Sequence, residues 1–402
     1  MTPSVTGTTP AHTAVPAEAP PAGRDRYFDL LRALALFRVV LYHLVGWAWL
    51  PLLFPSMGVM FALAGALTAR SLERPALQVI RGRVRRLLPP VWVLGAVCGT
   101  LMVVHGWRPG PSAVFWVLPL SDPPFLAAAW AADMAEPLWY LRAYLWFVVL
   151  SPLLLRLLRR FAWPALLAPV ALSVLLSVGG LSLPTRIDSA VTDFSTFGAC
   201  WMLGMAHQEG LLARLPRYTV PSLAPVLLMP AGLWWATRHG FGEPGVELDG
   251  IPTAQALWSL GAVLLLLHFS PSWQEWPRRL RRLDGVVSLL NSRAVTVYLW
   301  HNVCILAAAT LWDRMWSLDA LSEGAPWLLE SWVPVLLLAW ALIALCILLF
   351  GPAEDVAAGR RLRLWPRDIP QRKRGSHTRR PPGESSVAYR SPAAIEAETR
   401  RP

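Results

Sequence analysis

The sequence predicts an all-α, polytopic integral membrane protein of about ten transmembrane helices with both termini cytoplasmic. Three observations carry that expectation. Of the 402 residues, 55% are hydrophobic and only 15% charged, which excludes an ordinary soluble domain. Apolar runs of membrane-spanning length recur from about residue 28 to about residue 350. Between them, arginine-rich connections alternate with connections holding no more than one arginine, which is the signal of membrane topology.

Taken in order, the first 26 residues form an N-terminal tail rich in Pro, Ala and Thr. They have no basic start followed by an apolar core, so the segment reads as a disordered cytoplasmic tail and not as a cleaved signal peptide. Spans 1 and 2 are expected at about 28–47 and 51–69, and the connection 70–86 carries Arg70, Arg74, Arg81, Arg83, Arg85 and Arg86. Span 3, about 88–106, is expected to start at Pro89-Pro90, since proline suits the first turn of a helix. The connection 107–137 holds Asp122, Asp133 and Glu136. Spans 4 and 5, about 138–157 and 161–183, flank Arg159 and Arg160. Span 6, about 191–206, runs into a connection with Arg214 and Arg217. Span 7, about 218–237, precedes the acidic loop of Glu243, Glu247 and Asp249. Span 8, about 253–270, is followed by Arg278, Arg279, Arg281, Arg282 and Arg293, and spans 9 and 10 fall at about 292–312 and 326–350. The membrane domain thus covers 27–352, and 353–402 reads as a basic, Pro-rich, disordered cytoplasmic tail suited to anionic lipid.

The net charge of +12 does not imply nucleic acid, because the arginines sit in alternate connections. Cys98, Cys200, Cys304 and Cys346 lie in apolar segments without metal-ligand spacing, so neither zinc nor disulfides are expected.

Four constellations could carry chemistry. On span 1, Arg32 and His43 are eleven residues apart, which places them within about 20° of each other on a helix and roughly 16 Å apart along its axis. Asp29 lies within about 40° of the same stripe, whereas Arg38 is about 140° from His43 and needs another partner. Ionisable groups inside a membrane helix face a polar interior, so the stripe suggests a path from the membrane surface inward. A histidine there can take a proton from a hydroxyl or carry an acyl group; the bland alternative is a hydrogen-bonded core histidine. Next, Arg83 and Arg86 share one side of a helical turn and can fork onto phosphate, although such clusters also serve as topology anchors. Last, Tyr298 and His301 are neighbours on one helix face, either as polar cavity groups or as a satisfied core pair. Glu136, Trp139, Tyr140 and Arg142 gather at the entry to span 4, where aromatics are expected of an interfacial belt.

As a set, these residues resemble the bacterial integral-membrane acyltransferase family 3. The resemblance runs through Asp29-x-x-Arg32-x-Leu-Ala and His43, Phe61-x-Leu-x-Gly65 and Arg83-x-x-Arg86-x-x-Pro89. It continues through Trp139-Tyr140-Leu141, Phe197-Gly198 to Leu203-Gly204-Met205, and Tyr298-Leu299-x-His301. Two departures stand out. Ala64 occupies a position where relatives often carry serine, and the tail is too short for the extracytoplasmic esterase-like domain that some relatives add.

The resemblance implies a multi-pass protein of the bacterial cytoplasmic membrane. It would move an acyl group, acetyl in the favoured reading, from cytoplasmic acyl-CoA to a hydroxyl of a carbohydrate or other glycosylated acceptor. Acyl-CoA is then a co-substrate; no permanently bound cofactor and no metal is expected. His43, Arg32 and Asp29 are the expected catalytic set, with Arg83 and Arg86 on the acyl-CoA headgroup. Tyr298, His301, Glu136, Trp139 and Tyr140 are expected to position the acceptor. The rival reading is a secondary transporter or flippase with an intramembrane Arg/His path.

Overall fold

The computed structural model describes residues 25–360 except 180–183, 217, 244 and 272. The terminal tails, but for their inner ends, and Arg217 of the basic connection therefore lie outside the described residues. Those described form helices, joined by turns and one isolated bridge between Phe241 and Glu243.

Helices of the described residues fall along each of the predicted spans. Helix α1 is Arg26–Val45, α2 Ser56–Ser71, α3 Ala76–Val104, α4 Leu138–Arg160, α5 Ala162–Gly179 and α6 Thr185–Gln208. Helix α7 runs on through Thr219–Leu223, a π-helical turn at Ala224–Leu228, and Met229–Arg238. Then come α8 Pro252–His268, α9 Asp284–Ser292, α10 Ala294–Asp313, α11 Trp332–Phe350 and α12 Pro352–Ala357. By length and composition, six of the helical stretches are able to cross a membrane. Helix α1 is not among them because it carries Arg26, Asp29, Arg32 and Arg38, and α8 has only 17 residues.

Local chemistry explains the ends of α1. Asp25 caps its start, accepting from the Tyr27 N–H at 2.9 Å, and Gly46 ends it at φ 62, a left-handed conformation that favours glycine. The start of α3 departs from expectation. It begins at Ala76, so Pro89 and Pro90 fall inside the helix. The stretch from Ala76 to Leu88 is rich in Leu, Gln and Arg, which favour helix, and holds only one glycine and no proline. The two prolines leave the carbonyls of Arg85 and Arg86 without their usual helical donors.

The predicted span 9 is likewise broken, at Arg293 between α9 and α10. That arginine is not a surface topology charge: it is 1% exposed and donates to Asp355 at 2.7 Å and to the Gly351 carbonyl at 2.7 Å. Helix α12, where the sequence suggested the start of a tail, packs against α3. Burial pushes the Glu354 carboxyl above the ordinary glutamate range, and hydrogen bonds from Thr296, one from its hydroxyl at 2.7 Å, oppose that rise.

The core is centred on α2 and α6, which approach backbone to backbone. A Cβ on Gly204 would fall 1.8 Å from the Ala62 carbonyl oxygen, and one on Gly65 would fall 2.1 Å from that of Trp201. Small residues at a membrane helix crossing let van der Waals packing do the work that water exclusion does elsewhere. Phe61 sits at this crossing, its ring 4.8 Å from that of Tyr140 and 5.0 Å from that of Phe197.

Candidate active site

One end of the bundle gathers the start of α1, the end of α2, the start of α3 and the α9–α10 junction. A cavity of ≈ 790 Å³ opens there. Among the described residues, Arg32, Arg70, Arg74, Arg83 and Arg86 line it against a single carboxylate, Glu73. Tyr140, Tyr144 and Tyr298 form part of the wall, beside Ala64. Arg83 is braced: its guanidinium donates to the Tyr144 hydroxyl at 2.8 Å and to Ser71 Oγ at 3.4 Å. Asn291 holds α1 in place by donating to the Asp29 carbonyl at 2.8 Å, and Arg26 reaches Asp284 at 3.1 Å and Asp29 at 4.0 Å. Arg32 and Asp29 thus both belong to this end of the bundle, and Arg32 faces the cavity.

From the cavity wall a chain of rings leads inward. Tyr140 and Tyr298 have centroids 4.9 Å apart; Tyr298 and His301, 5.5 Å; His301 and His43, 4.8 Å. Tyr298 and His301 meet because three residues on α10 bring both to one face. Tyr140 points the other way from its neighbour Trp139, which stacks on Phe197 at 5.7 Å, so Trp139 serves the α4–α6 contact.

His43 does not line the arginine cavity; it sits in the last turn of α1. Its Nδ1 lies 3.6 Å from Glu136 Oε2, and the two side chains are 26% and 46% exposed. Glu136 Oε2 in turn accepts from Asn302 Nδ2 at 2.6 Å, which also donates to the Asp133 carbonyl at 3.0 Å. His301 Nδ1 lies 2.5 Å from the Tyr298 carbonyl, an acceptor only, so Nδ1 carries the proton and Nε2 the lone pair. That Nε2 is buried and has no hydrogen-bond partner among the described residues. The sequence-level choice for His301 between core and cavity therefore falls between the two: one nitrogen is satisfied, the other is not.

Arg38 finds a ring partner on its separate face, while its Nε and one terminal nitrogen are buried without a hydrogen-bond partner among the described residues. It lies over the Tyr42 ring at 4.6 Å, and the Tyr42 hydroxyl donates to Glu247 of the acidic loop. Arg142 is a brace as well, bonded to Asp193 at 2.7 Å and to Asp122.

The structure therefore divides the expected site residues between two neighbouring clusters, Arg32, Arg83 and Arg86 around the cavity and His43, Glu136 and His301 beyond it, with Tyr140 and Tyr298 in between. Sequence reading missed Asn302 and Asn291, placed Tyr144 only with the interfacial aromatics at the entry to span 4, and treated Arg70 and Arg74 only as topology charges. Asn302 did leave a signal, a second polar residue beside His301 in an otherwise apolar helix.

An imidazole between a carboxylate and a second imidazole can accept a proton, and a cavity of forked cations can hold a polyanion. Among protein families, a model described as an acyltransferase domain matches residues 25–351. No curated protein and no solved structure matches the chain.

Proposed function

The chain belongs to acyltransferase family 3 and is thus a membrane acyltransferase; from that premise we propose that it moves an acyl group, acetyl in the favoured case, from acyl-CoA to a hydroxyl of a carbohydrate or other glycosylated acceptor. The transporter reading gives way because the family is one of acyltransferases. The observation that carries the reading is the continuity between the arginine cavity and His43 through Tyr298 and His301.

In this reading the acyl-CoA phosphates lie against Arg83 and Arg86, and the pantetheine arm enters past Arg32 towards the Tyr140–Tyr298 pair. The excess of arginine at that end makes it the cytoplasmic one, so His43 meets an acceptor arriving from outside. Glu136 faces His43 Nδ1 and orients the ring, leaving Nε2 as the base. Nε2 takes the acceptor's hydroxyl proton while the oxygen attacks the thioester carbonyl. The C–S bond then breaks and CoA leaves as a thiolate that is reprotonated. The two-step variant passes the acyl group through the His43 imidazole first. Arg32 stabilises charge developing on the donor, and Asp29 holds the start of α1 on which Arg32 sits. The acceptor's sugar ring would lie beside Glu136 and His301.

The test uses protein in nanodiscs with acetyl-CoA and a panel of sugar, glycan and macrolide acceptors, following free CoA and acceptor mass. Acceptor-dependent turnover is expected to fall by about 10²-fold or more in His43→Ala, with the melting temperature unchanged. Full turnover in that variant would remove His43 from the chemistry.

A further inference from the structure

The cavity holds more positive charge than Arg83 and Arg86 supply. Arg70, in the last turn of α2, and Arg74, in the turn before α3, face the same space as Arg32, Arg83 and Arg86, and Glu73 is the single carboxylate in the lining among the described residues. Five arginines line ≈ 790 Å³, more forked donors than one phosphate monoester can accept from. The lining is matched to a ligand bearing several negative charges at more than one place.

The two arginine pairs are also placed differently. Arg83 and Arg86 are one turn apart on α3, and Arg83 is fastened to Tyr144 on α4, the helix that carries Tyr140 towards the interior. Arg70, Arg74 and Arg86 are exposed, and Arg70 and Arg74 lie on either side of Ser71 in the chain, the residue that Arg83 also reaches. In coenzyme A the diphosphate is attached directly to the arm that must reach inward, while the 3′-phosphate sits across the ribose. The pair anchored through Arg83 to α4 therefore suits the diphosphate and leaves the pair beside Ser71 for a second phosphate.

Resting on the acyl-CoA reading above, we propose that Arg70 and Arg74 form a second phosphate subsite that takes the ribose 3′-phosphate of the donor. The site thereby selects a nucleotide thioester over one carried on a single phosphopantetheine phosphate. A phosphate monoester on a lipid headgroup offers the same chemistry, so the experiment separates the two sources.

Binding of CoA and of 3′-dephospho-CoA is measured by calorimetry on full-length protein in phosphatidylcholine nanodiscs, for the wild type, Arg70→Gln/Arg74→Gln and Arg86→Gln. The wild type is expected to favour CoA by about 10- to 100-fold, the range of charge-assisted contacts. The double variant should bring that ratio close to one, whereas Arg86→Gln should weaken both ligands and keep the ratio. A fold defect alone would weaken both ligands equally in the double variant, so a ratio unchanged there overturns the proposal. If the wild type binds CoA and 3′-dephospho-CoA equally while phosphatidylglycerol displaces bound CoA, the occupant is lipid and the proposal falls. If the wild type binds neither ligand, the acyl-CoA reading falls and takes this subsite with it.

Discussion

Around His43, each polar atom has a role that its neighbours dictate. The Glu136 carboxylate is shared between His43 at 3.6 Å and Asn302 at 2.6 Å, so Asn302 fixes where the negative charge stands. Glu136→Gln keeps an oxygen for Asn302 but removes the charge that orients the imidazole. Its turnover is expected to fall about 10- to 100-fold, the usual cost of losing an orienting partner, with CoA affinity unchanged. Steady-state kinetics beside CoA titration checks this, and a loss of CoA affinity instead would place Glu136 in donor binding. His301 presents a lone pair towards this cluster while its other nitrogen is spent on the Tyr298 carbonyl. Spacing along α10 put Tyr298 and His301 on one face, but which nitrogen stays bare depends on backbone contacts that spacing does not contain.

Among the helices, the crossing of α2 and α6 controls the site at one remove. Phe61 on α2 contacts Tyr140, and Tyr140 forms the cavity wall with Tyr298, so the α2–α6 spacing sets the position of that wall. Gly204→Ala would place a methyl group 1.8 Å from the Ala62 carbonyl oxygen and force the helices apart. A cost of about 1–3 kcal/mol is expected, read as a lower melting temperature together with weaker CoA binding. Gly99→Ala on α3 is the control, since nothing lies within 4 Å of its added Cβ; it should leave stability equal or raise it by about 0.5–1 kcal/mol. Equal melting temperatures for both variants would refute the close crossing. The α12 latch works at this scale too. Arg293 and Asp355 form a buried pair, and such pairs specify an arrangement more reliably than they add stability.

For the molecule as a whole, charge is sorted by end. The cavity end carries Arg70, Arg74 and Arg86, and the His43 end carries Asp133, Glu136 and the loop of Glu247 and Asp249. In the proposed reading, a donor with several phosphates is drawn to the first and repelled from the second. Single cysteines at Arg74 and Glu243, on a background without the four native ones, are expected to react with an impermeant maleimide from opposite faces of intact cells or inverted vesicles. Labelling of both from the same face would disprove the odd number of crossings between residues 74 and 243 that the charge alternation predicts.

The sequence by itself determined the helical class, the place of each major helix, the family and the stripe from Arg32 to His43, because hydrophobic length, charge alternation and a 3.6-residue period are local properties of the chain. Periodicity also brought Arg83 and Arg86 to one side of α3. It did not reveal that α3 starts at Ala76, since a proline pair looks alike at a helix start and inside a helix until packing decides. Nor could it show that Arg293 is buried against Asp355, or that Asn302 and Glu136 meet, because those partners lie far apart in the chain. Only the tertiary structure separated the arginine cavity from His43 and set Tyr140, Tyr298 and His301 between them. Contacts among α1, α3, α4 and α10 make that arrangement, and no helix contains the information about which faces of the others it will meet.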